Sequence, residues 1–404
     1  MIKEFDIGIL GAGVAGASAL LRVLTENKTA KVLVLDAGRP AQKRRHQVFG
    51  FLGGFPGSDG KLYVNNFKPV SDLAGAKKAN NAKKWLHSQL SNALDLTLKH
   101  DNKISVSGEK RIKKNDYSIK YNDHYQLAPK DIHSFSKYIV SYLDNAENIH
   151  CSFDNEIFKV IKNKTNFLIE TEEEEFYCKK IIVCTGRAGW RWTSDLYSNF
   201  GIIEENNKFQ FGIKAEISST HMKDFNEANC VLSKNDIDIG PLSWNGTVIP
   251  EDHIDMAITS FRSNESRWHS DKVSFDILKT FEMDSQGYQQ ADRISKLTFI
   301  LANDRVMKEK TSLLLNDRSK ISVMKEYDWL KESLLDIDNI IPEFTDKSYF
   351  YSPTVVPVTA KINIGENFDT EVNGMYCAGE SAGVPGIYGA LLSGMLAADG
   401  ALNG

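Results

Sequence analysis

Three glycines and one aspartate near the start of the chain have the types and spacing of a phosphate-binding turn. An apolar strand from Phe5 to Leu10 runs into Gly11, Ala12, Gly13, Val14, Ala15 and Gly16, a helical pattern follows, and a second apolar strand, Val32 to Leu35, ends in Asp36. Gly11 permits a tight turn out of the strand, Gly13 lets the backbone approach a diphosphate, and Gly16 lets the helix pack against the sheet. The phosphates then meet the positive end of a helix. Asp36 stands about twenty residues beyond the last glycine, where an acidic side chain accepts hydrogen bonds from the hydroxyls of an adenosine ribose. The elements that position these residues form a complete βαβ unit, and the pattern predicts a dinucleotide site.

At 404 residues the chain is long enough for two or three packed units, and 42% hydrophobic residues support a sizeable core. A net charge of -4 gives no general attraction to nucleic acid or to an anionic membrane. The apolar run from Ile7 to Leu21 lacks a basic leader, and its glycines have a use in phosphate binding, so it is not read as a targeting signal. No other stretch is long enough and free enough of charge to span a bilayer, and a cytoplasmic protein is expected. The five cysteines, Cys151, Cys178, Cys184, Cys230 and Cys377, form no close pair. This argues against a secreted disulfide framework and against an electron relay through two adjacent thiols. Cys184 and Cys377 fall in apolar strands and are expected to be inert core residues. The nine histidines show no HxH, HExxH or Cys/His spacing, so no metal site is expected.

Further along, Gly50 to Lys61 is too glycine-rich for a regular element and exposes backbone amides. From Lys77 to Lys120 there are eleven Lys and Arg against four Asp and Glu. Such a run reads as a solvated surface insertion, or as a lid or docking surface for an acidic protein partner. Ile132 to Leu143 has helical spacing. Glu156 to Ile161, Asn166 to Glu170 and Glu175 to Cys178 read as a β-meander, followed by a buried parallel-type strand from Lys180 that ends in Thr185 and Gly186. Met375 to Cys377 repeats the strand-and-turn pattern, and Gly386 to Leu402 is an apolar helix. The expected fold is α/β. Residues 1–75, 126–208 and 343–404 make a discontinuous Rossmann-like domain of parallel sheet plus meander, 76–125 a basic insertion, and 209–342 a second α+β domain, which includes a helical stretch at Ile321 to Ile337.

The N-terminal turn with Asp36, the meander, the CTG turn and the YCAGESAG turn together resemble flavoproteins of the glutathione-reductase-like FAD fold. Within that fold, GGFPGSDGKL, GRAGWRW, FGIKAE, QGYQQADR and AGESAGVPGIYGALLSGMLAA resemble the family of FAD-dependent dehydrogenases. The resemblance implies non-covalent FAD. It puts Glu380, beside Gly379, on the ribityl chain, and the helix start at Gly386 and Ile387 against the flavin pyrimidine, where a helix N-terminus stabilises negative charge by roughly 0.3 to 2 kcal/mol. The backbone around Val160 would hold the adenine, and Thr185 and Gly186 would close the pocket. Arg39 is either a pyrophosphate or adenine contact or a surface arginine.

By the same resemblance, the segment through Ser58, Asp59 and Lys61 passes beside the flavin. Either Lys61 stabilises reduced flavin or Asp59 acts as a base, unless both belong to a turn salt bridge. Tyr388 presents its phenol to substrate or is a buried, satisfied tyrosine. Trp190, Trp192, Trp244 and Trp268 suggest an apolar pocket for a flat or hydrophobic substrate or else pack in a core, and Arg187, Arg191 and Arg262 are candidate carboxylate clamps. No second GxGxxG unit is present, so NAD(P)H as an electron donor would bind transiently at the flavin face. Aromatic hydroxylases of this fold carry DG and GD motifs where this chain reads CTGRAG and AGES. The expectation is a dehydrogenase or reductase moving hydride between flavin N5 and a small hydrophobic or aromatic organic substrate. The alternatives are an oxygen-using monooxygenase or oxidase, and a carrier-docked biosynthetic flavoprotein or flavin-binding scaffold that uses the basic segment.

Overall fold

The computed structural model describes residues 3–404 apart from 44–47, 92–96, 145, 206–207, 253–256, 264–269, 283–286, 304–305 and 358–360. The first strand, Lys3–Leu10, lies between Val32–Leu35 and Glu175–Val183 and runs parallel to both; Ile149–Ser152 extends the parallel edge beyond Val32–Leu35. Val32 to Leu35 and Ile7 to Leu10 are almost wholly buried, as parallel strands covered on both faces require.

The strand Glu175–Val183 changes partner along one edge. Glu175 to Cys178 pairs antiparallel with Phe167–Thr171, which pairs with Ile157–Lys162 to complete the meander, whereas Ile181 to Val183 pairs parallel with Met375–Cys377. The sequence divides this stretch into two strands and the structure joins them. At the junction Lys179 reaches Asp6 Oδ1 at 2.7 Å, and Lys180 donates to the Ala401 carbonyl at 2.6 Å.

The first helix (Val14–Glu26) and the last (Gly386–Asn403) pack against each other with almost no gap. A Cβ on Gly394 would sit 2.1 Å from the Ala15 carbonyl oxygen, and the Ser18 hydroxyl donates to the Leu391 carbonyl at 2.6 Å.

A second, antiparallel sheet runs in the order Met307–Lys310, Tyr349–Pro357, Lys208–Ser218, Lys272–Glu282, Ile237–Ile239, Cys230–Lys234 and Ser118–Tyr121. Its long strands alternate. Phe209, Phe211, Ile213, Val273, Phe275 and Ile277 form one face and share a core with Leu330, Leu334 and Ile337 of the helix Trp329–Ile340. Gln210, Lys214, Glu216, Ser274 and Asp276 fall on the other face, as a period of two requires. The helical pattern from Ile321 to Ile337 divides into two 3₁₀ turns, Lys320–Val323 and Lys325–Tyr327, ahead of that helix.

The basic segment is shared between the two cores. Ala79, Ala82, Leu86 and Leu90 of the helix Ala76–Ser91 are buried in the first. Ile104, Ile112 and Tyr117 are buried in the second. Several of its cations meet partners within the chain, Arg111 with Asp224 at 2.5 Å and Lys78 with Glu366 at 3.2 Å among them.

Candidate active site

The three glycines of the N-terminal turn are glycines for different reasons. Gly11 has φ +100°, and a Cβ there would lie 2.6 Å from the Cys184 carbonyl oxygen. A Cβ on Gly16 would lie 1.9 Å from the Gly11 carbonyl oxygen. Gly13 is unlike both. Its φ of -62° suits any residue, and a Cβ would meet no atom nearer than the Cys184 oxygen at 3.9 Å. Packing does not require this glycine, and the space in front of it belongs to the cleft it lines.

Asp36 is fixed beside that space. Its Oδ2 accepts from the Ala12 amide at 2.6 Å and its Oδ1 from the Gly38 amide at 2.7 Å. Both bonds fix the orientation of the carboxylate, and Asp36 lines the cleft. The first helix has no side-chain cap and no acid in its first turn, so its leading N–H groups and positive end face the same space.

The cleft has a volume of about 380 Å³ and joins this turn to the start of the last helix. That helix likewise has no side-chain cap and no acid in its first turn, and Gly386 and Ile387 line the cleft. Between the two helix starts run Thr185, Gly186 and Arg187 on one loop and Gly379 and Glu380 on another. Glu380 Oε1 lies 3.8 Å from the Arg187 guanidinium. Beneath them, Thr185 Oγ1 meets Ser381 Oγ at 3.1 Å and also bonds Thr193, while the Tyr197 phenol donates to the Ser381 carbonyl. These bonds lock the two loops together.

The polar face of the second sheet forms the opposite wall. Lys214 and Asp276, directly opposed across the strands, form an ion pair of 2.5 Å. Ser243 donates to Asp59 Oδ2 at 2.9 Å, and Lys61 Nζ stands 3.5 Å from both Asp59 Oδ2 and Ser243 Oγ. Lys61 is buried behind Asp59 and does not itself line the cleft. Nearby, burial holds the His124 imidazole below its ordinary range, with Lys61 adding to the effect and the Asn122 carbonyl opposing it.

Of the residues singled out from sequence, Gly13, Ala15, Asp36, Ser58, Asp59, Thr185, Gly186, Arg187, Gly379, Glu380, Gly386 and Ile387 line this one cleft. Gly11 and Gly16 shape the turn from within. The others lie elsewhere. Arg39 is 42% exposed and stands 3.7 Å from Asp154. Val160 is buried in the meander, paired with Ile169. Tyr388 is fully buried and shares a 2.9 Å hydrogen bond with His87 Nε2, since its side chain leaves the helix start toward the core. Trp192 and Trp244 donate to the Ile157 and Ala228 carbonyls at 2.7 and 2.9 Å, and Trp190 stands beside Arg191; none of these tryptophans lines the cleft. Trp268 and the Arg262 side chain lie outside the described residues. Lys214, Asp276, Ser243 and Ser274 were not singled out. Their signal was the alternation of polar and apolar residues in the strands that carry them.

No family model matches the chain, and no curated protein matches it. Solved structures do. The chain is similar to glycine oxidase from Geobacillus kaustophilus at 11% identity, over 99% of this chain and 95% of that one, with a TM-score of 0.49. It is similar to NikD, an unusual amino acid oxidase essential for nikkomycin biosynthesis, at 12% identity over 99% and 94%, with a TM-score of 0.46. It is also similar to the p-nitrophenol 4-monooxygenase PnpA from Pseudomonas putida DLL-E4, at 9% identity over 98% and 78%, with a TM-score of 0.45. Among the described residues no helix is long and apolar enough to cross a membrane, and no group of three or more His, Cys, Asp or Glu is placed to hold a metal ion.

Proposed function

We propose that the chain is an FAD-dependent oxidoreductase of the dehydrogenase or reductase type that acts on a small organic substrate. The observation that carries this reading is Gly13, a glycine that packing does not require, at the open end of an uncapped helix and beside a fixed carboxylate. The amides of Val14 and Ala15 would hold the pyrophosphate, and the Asp36 carboxylate would take the ribose hydroxyls. Glu380 would hold a ribityl hydroxyl, with the Gly386 and Ile387 amides toward the pyrimidine. When bound, FAD supplies two-electron chemistry at N5 of its ring system, while the chain supplies placement and electrostatics.

The first sheet thus serves the cofactor and the second sheet the substrate. Asp59, which faces the cleft with Lys61 behind it and Ser243 donating to it, is the proposed proton acceptor. Lys61 acts through Asp59 and is a positioning residue.

Anaerobic photoreduction followed by rapid mixing with oxygen tests the reaction type. Slow reoxidation of the reduced protein supports a dehydrogenase or reductase, and fast reoxidation contradicts it in favour of an oxidase or monooxygenase.

A further inference from the structure

The wall opposite the cofactor cradle is polar, and its polarity is built in. Lys214, Ser274 and Asp276 lie on one face of the two longest strands of the second sheet, whose other face carries the apolar residues Phe209, Phe211, Ile213, Val273, Phe275 and Ile277. Ser243 pairs in register with Ser274 and brings a second hydroxyl to the same wall. The Lys214 and Asp276 side chains are only 10% and 20% exposed. Lys214 occupies Asp276 Oδ1, and among the described residues Oδ2 accepts no hydrogen bond. Asp276 lines the cleft, so a donor arriving there can take the place of water on the open oxygen, and a group without a donor would strip that water and return nothing.

We infer that the substrate is a small polar molecule that presents a hydrogen-bond donor, the O–H of an alcohol or the N–H of an amine, to Asp276 Oδ2, with Lys214 and Asp276 as specificity-determining residues. This rests on the proposed oxidoreductase reading and differs from the flat or hydrophobic substrate that the tryptophans suggest in the sequence. A flat apolar ring laid on this wall would strip water from an ion pair and two serine hydroxyls and return no hydrogen bond. Sites built to bond a donor reject analogues that lack it far more strongly than apolar pockets reject a missing methylene. The bond from Lys214 to Oδ1 fixes the orientation of the Asp276 side chain and leaves Oδ2 for an incoming donor.

The test is saturation-transfer difference NMR on FAD-incubated protein with three probes: propane-1,3-diol, propylamine and toluene. The method reads binding directly and does not need the flavin, and FAD content is measured separately on the same samples. A chain without FAD contradicts the oxidoreductase reading and leaves the probe result to stand by itself. The diol or the amine should bind saturably, and the one that does identifies the donor as alcohol or amine. Asp276→Asn should weaken that binding roughly ten- to hundredfold. Because Asp276→Asn leaves Lys214 without its counter-ion, the double variant Lys214→Met with Asp276→Leu provides a folded control with no stranded charge, and it should lose the polar probe and gain toluene. The inference is overturned if toluene binds the unaltered protein more tightly than both polar probes, if neither polar probe binds, or if the polar probe binds both variants as it binds the unaltered protein.

Discussion

A Gly13→Val substitution fills the space in front of the N-terminal turn without disturbing the fold. The backbone at Gly13 already has φ -62° and an extended ψ, both open to valine. The new Cβ would sit 3.9 Å from its nearest neighbour, an ordinary contact. Loss of glycine freedom in the unfolded chain favours the variant by about 0.4 to 1 kcal/mol, and a poorer helix N-cap opposes that by about as much, so apo stability should stay within about 1 kcal/mol. Binding should respond differently. If the isopropyl group keeps the pyrophosphate from the Val14 and Ala15 amides, two charge-assisted hydrogen bonds of about 1.5 to 3 kcal/mol each are lost. At about 1.4 kcal/mol per factor of ten, affinity for FAD falls roughly a hundred- to ten-thousandfold. Denaturant unfolding of the apo protein and fluorescence titration with FAD measure the two quantities side by side. Gly16→Val is the contrast, since its Cβ would lie 1.9 Å from the Gly11 oxygen, and that variant should fail to fold. Unchanged FAD affinity in a folded Gly13→Val protein would exclude a pyrophosphate at this turn.

Glu380→Gln should weaken FAD binding roughly ten- to hundredfold by removing a charged hydrogen bond to the ribityl chain, read by the same titration; lost turnover with unaltered affinity would make Glu380 catalytic instead. Lys61→Met removes the cation 3.5 Å from the Asp59 carboxylate, whose side chain is 19% exposed and still accepts from Ser243, and should cost about 1 kcal/mol of stability in urea unfolding, whereas an unmoved midpoint would return Lys61 to a solvated position. Burial, and for His87 also the charge of Lys83, holds the imidazoles of His87 and His124 below their ordinary value of 6.5. Below about pH 6.5 the unfolded chain therefore binds more protons than the folded one, so stability is full above that pH and declines as acid carries it toward the lower folded values. Unfolding midpoints at several pH values check this, and His87→Gln with His124→Gln should flatten the decline.

The N-terminal turn was legible because its chemistry is local: the glycines, the helix start and Asp36 lie within one βαβ unit, and their roles follow from spacing. Glu380 and the Gly386 helix start became legible by resemblance, and the structure brings them to the same cleft. The substrate-facing wall was not legible, because Lys214 meets Asp276 only through strand register across 62 residues. Lys61 and Tyr388 show the same limit from the other side. Both stand in segments that border the cleft, and what decides their role is side-chain direction, Lys61 behind Asp59 and Tyr388 toward His87. The tryptophans were informative as bulk but not as position, since a half-buried indole packed against a core with its N–H on a carbonyl, as for Trp192 and Trp244, is already satisfied.

If the cleft holds FAD, the identity and amount of flavin that the purified protein carries will show it. Heat denaturation of protein incubated with excess FAD and freed of unbound flavin, followed by chromatography of the supernatant, should release FAD, not FMN, at about one per chain. A protein that stays colourless and shows no binding when titrated with FAD, or one that retains FMN in its place, would rule out an FAD site in the cleft.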